Sequence, residues 1–129
     1  MNWIRWQAMD STMLERGGIY LANLNPTRRD EPGKVRPVLV VQANALNQVE
    51  HPTVVVLPLT TRLVDQSFPL RYRLEARDHL HQSSDILCDQ LRAISLSRTT
   101  SDQLTSLHLS ELVEIERQVL AIIDIESTW

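Results

Sequence analysis

The sequence predicts an α+β fold, mainly β, with one helix near the carboxy terminus. Three observations carry this. Two apolar runs, at 35–41 and 53–59, have the length and β-branched content of buried strands. Residues 70–75 alternate apolar and charged, the period of a half-exposed strand. Leu112, Ile115, Val119, Ile122 and Ile123 recur at helical spacing.

The 129 residues match the length of one domain. With 43% hydrophobic and 22% charged residues the composition is that of a soluble globular chain, which excludes disorder as the main state. The apolar runs fall far short of the ~20 residues that span a bilayer. In residues 1–15, Arg5, Asp10 and Glu15 interrupt Trp3, Ile4 and Trp6, so the segment lacks the apolar core of a secretion signal. Cytoplasmic residence is the expectation. Cys88 is alone and reads as a core thiol rather than a nucleophile.

Taken in order, residues 1–15 show no period and read as an amino-terminal extension to a single domain over 16–129. Gly17-Gly18 opens a strand over 19–24, stopped by Asn25-Pro26. The polar loop 26–35 carries Arg28, Arg29, Asp30, Glu31, Gly33 and Lys34. It exceeds a tight hairpin, and such loops hold binding groups or serve as solvated connectors. The strand 35–41 reads as buried on both faces, with Arg36 at its mouth and Pro37 tolerated as an opening residue. After the polar connection 42–50, strand 53–57 ends at Pro58, and Thr60, Thr61 and Arg62 follow.

In 70–75, Leu70, Tyr72 and Leu74 share one face while Arg71, Arg73 and Glu75 share the other, a wet basic face. His79 and His81 have no third metal ligand at a recognisable spacing and read as surface residues. Residues 86–94 read as one further strand, interrupted by Asp89, Gln90 and Arg92, polar groups that need partners. Residues 97–109 suggest a short helix and a turn. The last helix is expected over 111–125, with Ser110 as its N-cap and Glu111 and Glu114 in the first turn.

Charge is unevenly spread. Residues 1–100 hold 12 basic and 10 acidic side chains, and residues 101–129 hold one basic and six acidic. Every cation except Lys34 is arginine, the side chain suited to bidentate phosphate contacts. A phosphate partner would meet the first part of the chain, not the last.

The ordered strings RGGIYLANLNPTRRDEPGKVRPVLVVQ, TVVVLPLTT and DILCDQLRAIS, followed by an amphipathic helix, resemble the MazF/PemK family of toxin–antitoxin toxins over residues 16–125. The resemblance implies a small SH3-like antiparallel barrel of the PemK/CcdB type with a carboxy-terminal helix. It also implies a homodimer and a sequence-specific endoribonuclease that needs no metal or other cofactor. It assigns the catalytic pair to Arg36 and Thr60, and brings Glu31 and Gln90 near the substrate. The chain departs from the common pattern at Gly18, where Asp is frequent, at Pro32 after the loop acid, and at Lys34, where a second glycine is common.

The chemistry suits these residue types. Attack by a 2′-hydroxyl builds negative charge on phosphorus, which the paired donors of Arg36 would neutralise while the Thr60 hydroxyl fixes the phosphate. Arginine, with a pKa above about 12, is a poor base, so the base stays open; Glu31 is a candidate base or gating acid. An ion pair of Arg36 with Glu31 or Asp89 would instead make it a structural tie. Arg28, Arg29, Lys34, Thr61, Arg62, Arg71, Arg73, Gln90 and Arg92 are available to hold single-stranded RNA. With 5% aromatic residues, base readout is expected to rest largely on hydrogen bonds. A cognate antitoxin with an acidic flexible segment is the expected partner. The alternatives are a non-catalytic CcdB-like toxin that poisons a protein such as DNA gyrase, and a silent regulator.

Overall fold

The computed structural model describes residues 13–24 and 35–124. The strands are β1 (Gly18–Asn23), β2 (Val35–Val40), β3 (Thr53–Thr60), β4 (Arg71–Leu74), β5 (Ser84–Leu87), β6 (Arg92–Ser95) and β7 (Thr99–Ser106). The helices are the short α1 (Asn44–Gln48) and the long α2 (Leu109–Ile122). All pairings are antiparallel, in the order β4-β5-β3-β2-β1-β7, with β6 also on β3.

β3 forks the sheet. Its first half pairs with β6, from Thr53 opposite Ser95 to Val56 opposite Arg92, and its last two residues pair with β5. The middles of the two apolar runs are buried on both faces as the sequence indicates, Val38, Leu39, Val40, Val56 and Leu57 having no exposed surface, while Val35 at the start of the first is exposed. One face meets α2, whose Leu112 and Ile115 join Ile19, Leu39, Leu57, Leu59 and Ile86. The other packs Tyr20, Ala22, Val38, Val40, Val54, Val56 and Ile94. Each such side chain contributes about 1.5–3 kcal/mol by leaving water. Cys88 lies in the first core, where burial pushes its thiol up to about 12.

The expected barrel is an open sheet: among the described residues no ladder joins β4 to β7. The connection after β4 bridges that gap instead. His79 N–H donates to the Leu104 carbonyl at 3.0 Å, and the Thr105 hydroxyl donates to Asp78 at 2.6 Å. Arg77 donates to the Ser106 carbonyl at 2.7 Å and to both Glu111 oxygens at 2.9 Å.

Three local expectations are corrected. Residues 86–94 form the end of β5, a turn and the start of β6, because Gln90 N–H turns back to the Leu87 carbonyl at 3.1 Å. Residues 97–109 hold a 3-10 turn (Leu96–Arg98) and β7 rather than a helix; Thr99, Thr100 and Thr105 are β-branched, and pairing with β1 overrides the Ser/Asp punctuation. The N-cap of α2 is His108, not Ser110, because Glu111 accepts the His108 N–H at 2.8 Å and starts the helix earlier.

Gly18 is fixed by its neighbour: a Cβ there would lie 2.7 Å from the ring of Tyr20, which is 2% exposed and has no room to swing. Gly18→Ala is therefore expected to lower stability by about 1–3 kcal/mol, read as a drop in urea midpoint at unchanged slope. An unchanged midpoint would show that the ring yields.

Candidate active site

The ladders bring four polar side chains into one row. β2 pairs β3 with Val40 opposite Val56, Leu39 opposite Leu57 and Val38 opposite Pro58. The same register continued by two residues puts Arg36 opposite Thr60. Thr60 is opposite Asp85, and Asp85 is opposite Arg73. Opposed residues share a face, so Arg36, Thr60, Asp85 and Arg73 cross four strands spaced about 4.8 Å apart. The row continues the face of Val38, Val40, Val54 and Val56, where the second core ends and solvent begins.

Arg36 is half-buried, and among the described residues no carboxylate pairs with it, so the tie to Asp89 is not made. The Thr60 hydroxyl oxygen accepts the Arg62 N–H at 3.1 Å. That bond occupies a lone pair and leaves the hydroxyl proton to donate outward.

Asp85 is 1% exposed and collects three donors: Arg73 Nε at 2.5 Å, Val64 N–H at 2.9 Å and Arg71 at 3.1 Å. Burial alone would raise its carboxyl, but the bonds from Arg73, Val64 and Arg71 outweigh it and hold the group below the ordinary carboxylate value. Arg73 also bonds Asp65 at 3.0 Å, and Arg71 bonds the Arg62 carbonyl at 2.8 Å. The basic face of β4 is thus largely answered within the fold.

The remaining expected site residues divide by position. Thr61, Arg62 and Gln90 are exposed, Arg62 beside Thr60 and Gln90 in the turn after β5. Arg92 opens β6 and donates to the Leu24 carbonyl at 3.2 Å, anchoring the end of β1. Glu31, Arg28, Arg29 and Lys34 lie outside the described residues. Asp85 was not anticipated as part of the row. Its signal was available: a strand reading Arg-Tyr-Arg beside one that carries a single acid among apolar residues is a cross-strand charge match.

Because the Asp85 carboxyl is held low, its contribution to stability is full above the ordinary carboxylate pKa of about 4 and is lost as pH falls below it. Asp85→Asn is expected to lower stability by about 2 kcal/mol at neutral pH. The gap to the unmodified protein narrows as pH falls from about 5 to 3, which urea denaturation at each pH would read.

The sequence pattern of the "PemK-like, MazF-like toxin of type II toxin-antitoxin system" family matches residues 15–123. The Endoribonuclease MazF of Staphylococcus epidermidis is 33% identical over 105 residues, 81% of this chain and 86% of that protein. Among solved structures, the Mycobacterium tuberculosis toxin MazF-mt6 superposes with a TM-score of 0.70 at 22% identity, covering 85% of this chain and 99% of the other. A MazE–MazF structure from Deinococcus radiodurans gives 0.73 at 23% identity, covering 88% and 98%. These structural likenesses agree with the sheet and helix described above. With the family pattern matched across most of its length and a relative sharing a third of the aligned residues, the chain belongs to the PemK-like, MazF-like toxins of type II toxin–antitoxin systems.

Proposed function

We propose that the protein is the toxin of a toxin–antitoxin pair and an endoribonuclease that cleaves single-stranded RNA at Arg36 and Thr60, in the cytoplasm, without a metal. The observation that carries this is the register of β2 on β3, which continued by two residues sets Arg36 opposite Thr60, with no carboxylate among the described residues paired to the guanidinium. The family supplies the reaction class.

In this reading the RNA 2′-oxygen attacks the adjacent phosphorus and the bond to the 5′-oxygen breaks. A 2′,3′-cyclic phosphate and a 5′-hydroxyl result. Arg36 faces the phosphate oxygens, where charge builds, with two parallel donors. Thr60 donates its free proton to one of those oxygens. The proton leaving the 2′-hydroxyl goes to a base, for which Glu31 is the candidate, and the departing 5′-oxygen takes a proton from water to become the 5′-hydroxyl. Arg62, Thr61 and Gln90 would hold the RNA backbone, a role their exposure supports, and Arg28, Arg29 and Lys34 would extend it.

The partners follow from the same reading. Solved relatives include complexes of MazE with MazF and a mycobacterial endoribonuclease with its cognate antitoxin. An antitoxin with an acidic flexible segment would cover the row and compete with RNA, and the toxin would work as a homodimer. No observation favours a gyrase-type poison over this reading.

Two outcomes are expected. Incubated with a long single-stranded RNA in excess chelator, the protein gives discrete cuts ending in cyclic phosphate. Arg36→Ala lowers the cleavage rate about 10²–10³-fold and Thr60→Ala about ten-fold, both with an unchanged melting temperature. Cuts of equal rate in Arg36→Ala would discard the assignment. Antitoxin binding is expected to weaken with salt and to be displaced by RNA; titration of the complex with each would measure both.

A further inference from the structure

We propose that the loop between β3 and β4 builds a nucleobase subsite beside Thr60, with Phe68 as its stacking face. The proposal rests on the endoribonuclease reading and deepens it: it names what recognises a base next to the phosphate row. Residues 61–70 run directly from Thr60 to β4. They are anchored at several points. Asp85 accepts the Val64 N–H at 2.9 Å, and Arg71 bonds the Arg62 carbonyl at 2.8 Å. From α2, the buried Gln118 donates to the carbonyls of Pro69 at 3.0 Å and Arg71 at 2.9 Å. Inside the loop, Leu70 N–H bonds the Ser67 carbonyl at 2.6 Å and the Ser67 hydroxyl bonds that of Val64 at 3.1 Å.

On this fixed loop Phe68, the chain's sole phenylalanine, is 72% exposed. Exposed apolar side chains usually sit on mobile or incidental surface; this one is held out by a loop whose other bonds are made. Gln66 beside it takes a left-handed backbone, φ 54°, an arrangement that persists only where the surroundings impose it. Together they frame a concavity of about 250 Å³ whose lining also includes Arg71 and Arg73 and the carboxylates of Asp65 and Asp85.

The chemistry of this concavity fits a base of a single-stranded nucleic acid. A planar ring is available for stacking, an exposed amide from Gln66 can meet a base edge, and Arg71 and Arg73 border the concavity with their guanidiniums tied to Asp85 and Asp65. Asp65 and Asp85 offset two of the three positive charges of Arg62, Arg71 and Arg73, leaving a small positive balance beside the phosphate row. Asp85 is one strand from Thr60 and Arg73 two strands, about 5 and 10 Å. A nucleotide whose phosphate lies at Arg36 and Thr60 therefore has a neighbour within reach of the concavity that Asp85 and Arg73 border.

The test uses the full chain and an RNA oligonucleotide spanning its preferred cut, compared with oligonucleotides carrying an abasic nucleotide at each flanking position. Phe68→Ala is expected to raise KM about ten-fold, the lower part of the stacking range, with kcat within about two-fold of the unmodified protein. Phe68→Trp keeps the original KM. One abasic position should raise KM about ten-fold for the unmodified protein and have no further effect in Phe68→Ala. A Phe68→Ala protein with unchanged KM, or one that keeps the full abasic penalty, overturns the subsite and leaves the nuclease standing. So does a variant impaired only in antitoxin binding. If the unmodified protein cuts no RNA, both readings fall together.

Discussion

Everything at the candidate site depends on the register of β3. It is hydrogen-bonded on both sides, to β2 along one edge and to β6 and then β5 along the other. Its side chains are buried on both faces, with Val54 and Val56 in one core and Leu57 and Leu59 in the other. A slip of one residue would exchange the faces and break both cores at once. Thr60 is the last residue of that strand, so its place opposite Asp85, and in register with Arg36, is set by packing that extends well beyond the site.

The row is not evenly charged, and the unevenness has a direction. Arg36 stands at one end without a described partner, while at the other Arg73 and Arg71 are tied to Asp85. A phosphate beside Thr60 meets the Arg36 guanidinium on one side and a carboxylate on the other. Repulsion from Asp85 and attraction to Arg36 then act in the same sense and favour the β2 side. Asp85 also bonds the backbone of the loop that follows Thr60. One buried acid thereby links electrostatic polarity to the shape of the β3–β4 loop.

The positions of Arg36 and Thr60 at strand ends were legible in the sequence because each sits at the mouth of a continuous apolar run, where local pattern and strand end coincide. The buried faces of β2 and β3 were legible for the same reason. β7 was not: its Ser, Thr and Asp residues look like helix punctuation, and only the edge of β1, some 80 residues away in the chain, makes a strand of them. The split of 86–94 was hidden because Asp89 and Gln90 interrupt an apolar run without glycine or proline. Asp85 escaped notice because its meaning lies in Arg71 and Arg73 across a ladder. Phe68 escaped because 5% aromatic content argues against stacking in general, whereas one exposed ring on an anchored loop is a local fact that composition averages away.

The pairing of β1 with both β2 and β7 has a consequence for how the protein is made. β1 is the first of the described strands to leave the ribosome, and the strand that covers its outer edge is the last. Until Ser106 has been synthesised, that edge is an unpaired row of amides and carbonyls, and Ile115 of α2 has yet to fill the core behind it. A chain interrupted before Ser106 carries Arg36 and Thr60 on strands whose sheet still lacks the β7 edge, so the framework around them is finished only after both residues have been made.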